Sequence, residues 1–239
     1  MAIITIHMDM DKSLTPSAML GMLRLSSPVL PVGAFSYSEG VESAFEQGWI
    51  KDESTAQNWI CDAMELNVIR CDWPYLDRLM QAWAVSDFET VHALNHQYLM
   101  TRETKEIRQQ SLQMGHSMIN WIDNHPLKFP DLRASLDRSC TAWIVALSLA
   151  HFEHESPLWA VRLSHAFSWL ENQVQAAMKA TPLGQQAGQR ISQAMIQVLI
   201  QKHNQYEQLI SVPEPISFSP GFAILSSQHE HQYSRIFRS

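Results

Sequence analysis

From about residue 16 onward, apolar residues recur at three- and four-residue intervals, the spacing that gathers side chains on one face of an α-helix. A first helix is expected from Pro16, with Thr15 as N-cap and a stop at Ser26-Ser27-Pro28, burying Met19, Leu20, Leu23 and Leu25. Ser36-Tyr37-Ser38-Glu39 reads as a capping box for a helix carrying Val41, Ala44 and Phe45 on one face and stopping at Gly48. Two amphipathic helices follow at 54–70 and 73–85, with Trp59, Ala63 and Leu66, then Leu76, Leu79, Met80 and Trp83, on their apolar faces. A second box, Ser86-Asp87-Phe88-Glu89, opens a helix toward Met100, and residues 102–123 continue or restart it. Residues 140–152 are apolar nearly all round, which predicts a central helix. Ser156 and Pro157 cap a long helix to about Ala180, Pro182 breaks it, and 184–206 form the last long helix. Pro213, Pro215 and Pro220 mark the segment beyond as a loop leading to a tail. The one strand-like run, residues 3–6, has no second run to pair with.

These elements predict an all-α fold: one domain over residues 1–239, a bundle of about eight to ten helices, a flexible extension at 1–12 and a loop and docking tail at 207–239. Composition narrows the function. With 46% hydrophobic and 17% charged residues, the chain has little polar surface, which favours protein partners. A formal charge of −7 excludes a nucleic-acid surface, which needs a basic field. The apolar run at 142–150 is too short to span a membrane, and the N-terminus, with Asp9 and Asp11, does not read as a signal peptide. Cys61, Cys71 and Cys140 are scattered, fitting neither a disulfide framework nor a zinc site, and suit a reducing cytoplasm.

The histidines supply the candidate chemistry. His92 and His96 share a helix face, but no H-E-x-x-H glutamate lies between them and no third ligand is evident, so solvated histidines are the better reading. They remain the basis of one alternative, an α-helical metal-dependent enzyme using this pair and a carboxylate. His151 and His154 stand at an expected helix end, where cationic imidazoles complement the dipole. His229 and His231 lie in the tail, and a nickel relay through them is a third reading. No phosphate loop, nucleophile elbow or redox cysteine pair is present, which disfavours an enzyme and requires no cofactor.

Two segments are left over. The stretch 27–40 combines two prolines, a glycine and two aromatics ahead of a helix, a rigid loop in which Leu30 and Phe35 cover core while Tyr37 and Glu39 are contact candidates. The tail, with Tyr233, Arg235, Phe237 and Arg238, concentrates the residue types that anchor interfaces. It reads equally as a contact segment or as a short helix, Tyr233 and Phe237 together, folded back on its own core. Ser111, Gly115 and Ser117 suggest close helix packing, and Pro182-Leu183-Gly184-Gln185, preceded by Lys179, is a second rigid corner.

Four of these stretches carry a resemblance. S-P-V-L-P-V-G-A-F-S-Y-S-E-G-V-E at 27–42, R-E-T-K-E-I-R-Q-Q-S-L-Q-M-G at 102–115, K-A-T-P-L-G-Q at 179–185 and the closing Y-S-R-I-F-R-S are similar, in order, to the urease accessory protein UreF family. Ala34 replaces a common glycine and Ile236 a usual leucine. The resemblance implies a cytoplasmic, non-enzymatic chaperone for nickel insertion that dimerises, binds UreD (also called UreH) and recruits the GTPase UreG to apo-urease, with its UreA, UreB and UreC subunits. By the same resemblance the tail and last helix dock onto UreD, Arg238 holds the tail's conformation, and Tyr37 and Lys179 lie at or near the surface facing UreG. Lys179, Arg24, Arg102 and Arg190 are then candidates to supply charge to the GTPase.

Overall fold

A computed structural model describes residues 13–217, 219–229, 232 and 235–238. The strand-like run at 3–6 lies outside them. Among the described residues the regular structure is entirely helical, as the periodicity predicts.

Helix α1, Pro16–Leu25, starts as expected: the Thr15 hydroxyl accepts the Ala18 amide at 3.1 Å, with proline in the first turn. Its buried face is not the expected one. Met19, Leu20 and Leu23 are 46%, 67% and 51% exposed, whereas Ala18, Gly21 and Leu25 are buried. The reason is close approach: a Cβ on Gly21 would lie 2.5 Å from the His154 ring, so the small residues face inward.

A 3-10 turn, Ala34–Ser36, precedes α2, Val41–Glu46. The capping box expected at Ser36–Glu39 does not form. Gly40 is the N-cap, in the left-handed region at φ 85°, and the Ser38 hydroxyl accepts the Glu42 amide instead, at 3.4 Å. Gly40 is doubly required, because an added Cβ would also meet Phe222 and Trp59 at 3.2–3.3 Å.

The two helices expected at 54–70 and 73–85 are one rod: α3, Glu53–Ala63, runs through a π-helical stretch, Met64–Asp72, into α4, Trp73–Ala84. Widening the helix there leaves the Arg70 carbonyl to accept the Ile216 amide at 2.9 Å, which ties down the proline-rich segment near the C-terminus. Helix α5, Phe88–Thr101, is capped by Asp87 rather than by Ser86: the Asp87 carboxylate accepts the Thr90 amide, and Ser86 sits at φ 54°. The chain then restarts at Thr104, the N-cap of α6, Lys105–Asp123. A short α7, Pro130–Ala134, was not foreseen.

Helix α8, Trp143–Glu153, is the central element, buried almost all round and packed on α1, α4 and α6. Gly115 of α6 lets the α6 backbone onto the chain entering α8, where a Cβ would stand 2.1 Å from the Thr141 carbonyl oxygen. Trp83 of α4 is fully buried, its indole N–H donating to Ser148 of α8 at 2.9 Å. Helix α9, Leu158–Ala180, packs against α1, α2, α3 and α4 and against α10, Gln185–Glu207. Arg162 of α9 reaches Asp77 of α4 at 2.7 Å with both side chains buried, and also bonds Glu207.

The region expected as a loop after α10 contains a further helix, α11, Pro220–His229, packed on α2 and α6. Pro220 opens this helix rather than excluding one, since proline is tolerated in a first turn.

Candidate functional site

Four sequence stretches far apart in the chain meet where α11 and the tail cross α2, α6 and the end of α9. Glu42 of α2 is the centre. Its carboxylate accepts the backbone N–H of Ile236 at 2.7 Å and of Phe237 at 3.1 Å, and takes the Nε2 side of His229 at 3.3 Å. The other ring nitrogen of His229 faces Glu106 of α6 at 3.0 Å, and Glu106 also pairs with Arg235 at 3.4 Å. The buried His229 ring therefore stands between two carboxylates, one nitrogen toward buried Glu42 and the other toward partly buried Glu106.

The remaining contacts extend this clasp. The Arg238 amide donates to the Ser36 carbonyl at 2.8 Å, and Phe237 is buried with the Lys179 ammonium 5.8 Å from its ring centroid. The Tyr37 hydroxyl donates to Gln113 at 2.6 Å, and burial pushes its pKa up against the pull of the neighbouring Arg238. Thr104 and Ser226 join α6 to α11 through their hydroxyls at 2.9 Å. The described part of the tail is therefore folded on its own core while Arg235, Ile236 and Arg238 stay exposed. Tyr233 lies outside the described residues.

Glu39 is not on the surface. Its carboxylate accepts the Gln110 amide at 2.6 Å and the Trp169 indole N–H at 2.7 Å, and burial pushes its pKa up. It lines a small cavity of 80 Å3 shared with Asp72, Tyr98, Arg102 and His165. There Asp72 is reached by His165 at 2.8 Å and by the Tyr98 hydroxyl at 3.1 Å. Such a volume is far below that of pockets for organic cofactors.

The other basic candidates are engaged. Arg102 is packed over Tyr98 and bonded to the Cys71 sulfur at 3.1 Å, Arg190 is held bidentately by Glu53, and Arg24 lies over Trp121 and bonds His125. Lys179 is exposed.

Among the described residues no group of three His, Cys, Asp or Glu side chains is placed to hold a metal ion. His92 and His96 are exposed, and His92 bonds the Ser135 carbonyl at 2.8 Å. His151 is not the cationic helix-end residue expected: burial pushes its pKa down to about 3, and the neutral ring meets Ser156 and Ser164. The His154 pKa is likewise lowered, by burial and then by Arg24. His229 ends a helix in full burial rather than lying in a free tail, and His231 is outside the described residues.

Sequence reading missed Glu42, Glu106 and His229 as a unit. All three lie in or beside the quoted motifs, but a carboxylate's partner more than a hundred residues away leaves no local signature.

Comparison with known proteins agrees with the motifs. The UreF family profile matches residues 50–196. The chain is 40% identical over 228 residues to the urease accessory protein UreF of Polaromonas sp. (strain JS666 / ATCC BAA-500), covering 95% of this chain and 97% of that protein. It is 40% identical over 225 residues to that of Methylibium petroleiphilum, covering 93% and 94%. It is also 40% identical over 231 residues to that of Paracidovorax citrulli, covering 95% and 92%. These relatives are named as accessory proteins rather than as enzymes, and with likeness of this extent the chain belongs to the UreF family of urease accessory proteins.

Proposed function

We propose that this chain is an adaptor in nickel insertion into urease, joining UreD (UreH) to the GTPase UreG on apo-urease built from UreA, UreB and UreC. It works in the cytoplasm as a homodimer, and bond making belongs to its partners. The observation that carries this reading is the clasp: Glu42 grips the tail by its backbone, which leaves Arg235, Ile236 and Arg238 pointing outward in a set conformation. A pre-shaped segment loses little conformational entropy on docking. Exposed Ile224 of α11, and Trp49 packed beside Gly221 of the same helix, extend the surface with the apolar character of an interface core. Tyr37, Glu39 and Phe237 act within this surface by holding it in shape, since their own side chains are turned inward.

Copurification tests the reading. Coexpressed with tagged UreD and UreG, the chain is expected to be retained with both, and its failure to associate with either would contradict the adaptor role. A regulatory contribution falls to Lys179, an exposed cation at the clasp beside the Phe237 ring. A charge clamped on a GTPase changes hydrolysis by ordering its switch segments or by facing the phosphates. Lys179→Ala is expected to change GTP hydrolysis by UreG within the complex by about tenfold, and a rate equal to wild type removes this residue from the gating.

A further inference from the structure

Beside the clasp lies an open cleft of 660 Å3 whose floor is one face of α6 and whose far wall is the tail. The floor carries Lys105, Gln109 and Gln113, spaced four residues apart and exposed. The wall carries Arg235 and Arg238, with Tyr37 at the junction. The only carboxylate among its described lining residues is Glu106, already shared between His229 and Arg235. Lys105 and Arg238 form no ion pair among the described residues, and Arg238 lies beside the neutral Tyr37 hydroxyl. A trough of net positive charge is thus built into a chain whose formal charge is −7.

We infer that this cleft receives an extended acidic segment of a protein partner, its carboxylates between Lys105 and the tail arginines and its backbone against the Gln109 and Gln113 amides. Charge complementarity selects the occupant: three cations face one engaged carboxylate, and Arg238 presents a planar fork suited to carboxylates. Gln109 offers a donor and an acceptor, the pair an extended peptide backbone requires, and Gln113, its oxygen engaged by the Tyr37 hydroxyl, offers its amide N–H donors. The inference rests on the adaptor reading for the partner's place, and names the chemistry by which that partner is held.

Lys105→Glu is the direct test, because Lys105 opens α6 and a glutamate in a first turn suits the helix dipole, so folding is not put at risk. Binding to purified UreD and to UreG is measured at about 0.1 M and about 0.5 M salt, because exposed charges are largely screened at the higher value. Whichever protein supplies the segment is expected to bind the wild type more weakly at high salt and the variant about tenfold or more weakly at low salt, with Lys105→Ala intermediate. Equal affinity of wild type and Lys105→Glu for both proteins overturns the inference, as does an alanine variant as weak as the glutamate one, which would mean lost packing rather than charge.

A partner-free readout separates this from failure of the adaptor reading. In the isolated chain, the Gln109 and Gln113 side-chain amide NMR signals should shift with a synthetic glutamate-rich peptide and not with its lysine-rich counterpart. No shift, or an equal shift with a single-stranded oligonucleotide, counts against an acidic-peptide site.

Discussion

Arg162→Met is expected to lower stability by about 3–5 kcal/mol at pH 7, the usual cost of removing one partner from a buried ion pair. The Asp77 carboxylate left behind is 2% exposed and retains the Tyr206 hydroxyl at 3.2 Å, too little to replace a guanidinium. Burial already holds the Asp77 pKa above its ordinary value while Arg162 pulls it down, so in the variant it rises further. The sign of the pH dependence follows. A carboxyl whose folded pKa is raised binds its proton more tightly in the folded state, so the penalty is absent below the unfolded value and grows as pH rises through the folded one. The melting-temperature deficit should therefore be largest at pH 7 and shrink on acidification. The double variant Arg162→Met, Asp77→Leu should recover most of the loss, because no unpaired charge remains. Equal melting of wild type and Arg162→Met at pH 7 would show that the pair is not buried as described.

Gly115→Ala should destabilise by about 2–3 kcal/mol, and its direction separates two physical effects. Helix propensity alone makes alanine better than glycine by about 1 kcal/mol in a helix interior. Packing says the reverse, because the new methyl would stand 2.1 Å from the Thr141 carbonyl oxygen, a backbone atom that cannot rotate away. Helix α6 would have to retreat from the entry to α8, disturbing the Ser111 hydroxyl that accepts the Trp143 amide at 3.2 Å. Chemical denaturation decides it, and a stabilised Gly115→Ala would contradict the close approach.

Much of the fold was legible because it rests on local rules. Long periodic stretches become helices where stripes are wide, as in α4 and α9, and the all-round apolar character of α8 announces burial. What failed has specific causes. In α1 two stripes compete, and the one with larger side chains lost to Ala18 and Gly21, because His154 occupies the space a side chain would need. Periodicity records hydrophobicity, not the close approach that small residues permit. Ser86 gave way to Asp87 as cap, a shift of one residue between two good capping types. Helix α11 was hidden by prolines, which mark a loop or a first helical turn with the same letter.

The candidate site was legible in its parts and not in its assembly. Tyr37, Lys179 and the tail residues stood out by motif, yet Tyr37 and Glu39 are turned inward as supports. The junction itself is a long-range event. Glu42 and Phe237 are 195 residues apart, and nothing local to either encodes that separation.

The adaptor reading is tested most directly by deleting residues 233–239 and following helicity and UreD binding on the same preparation. The account predicts far-ultraviolet circular dichroism close to wild type together with loss of UreD retention. An unfolded truncated chain would make the tail only a piece of core, and a helical truncated chain that still binds UreD as tightly as wild type would contradict the tail's role in docking.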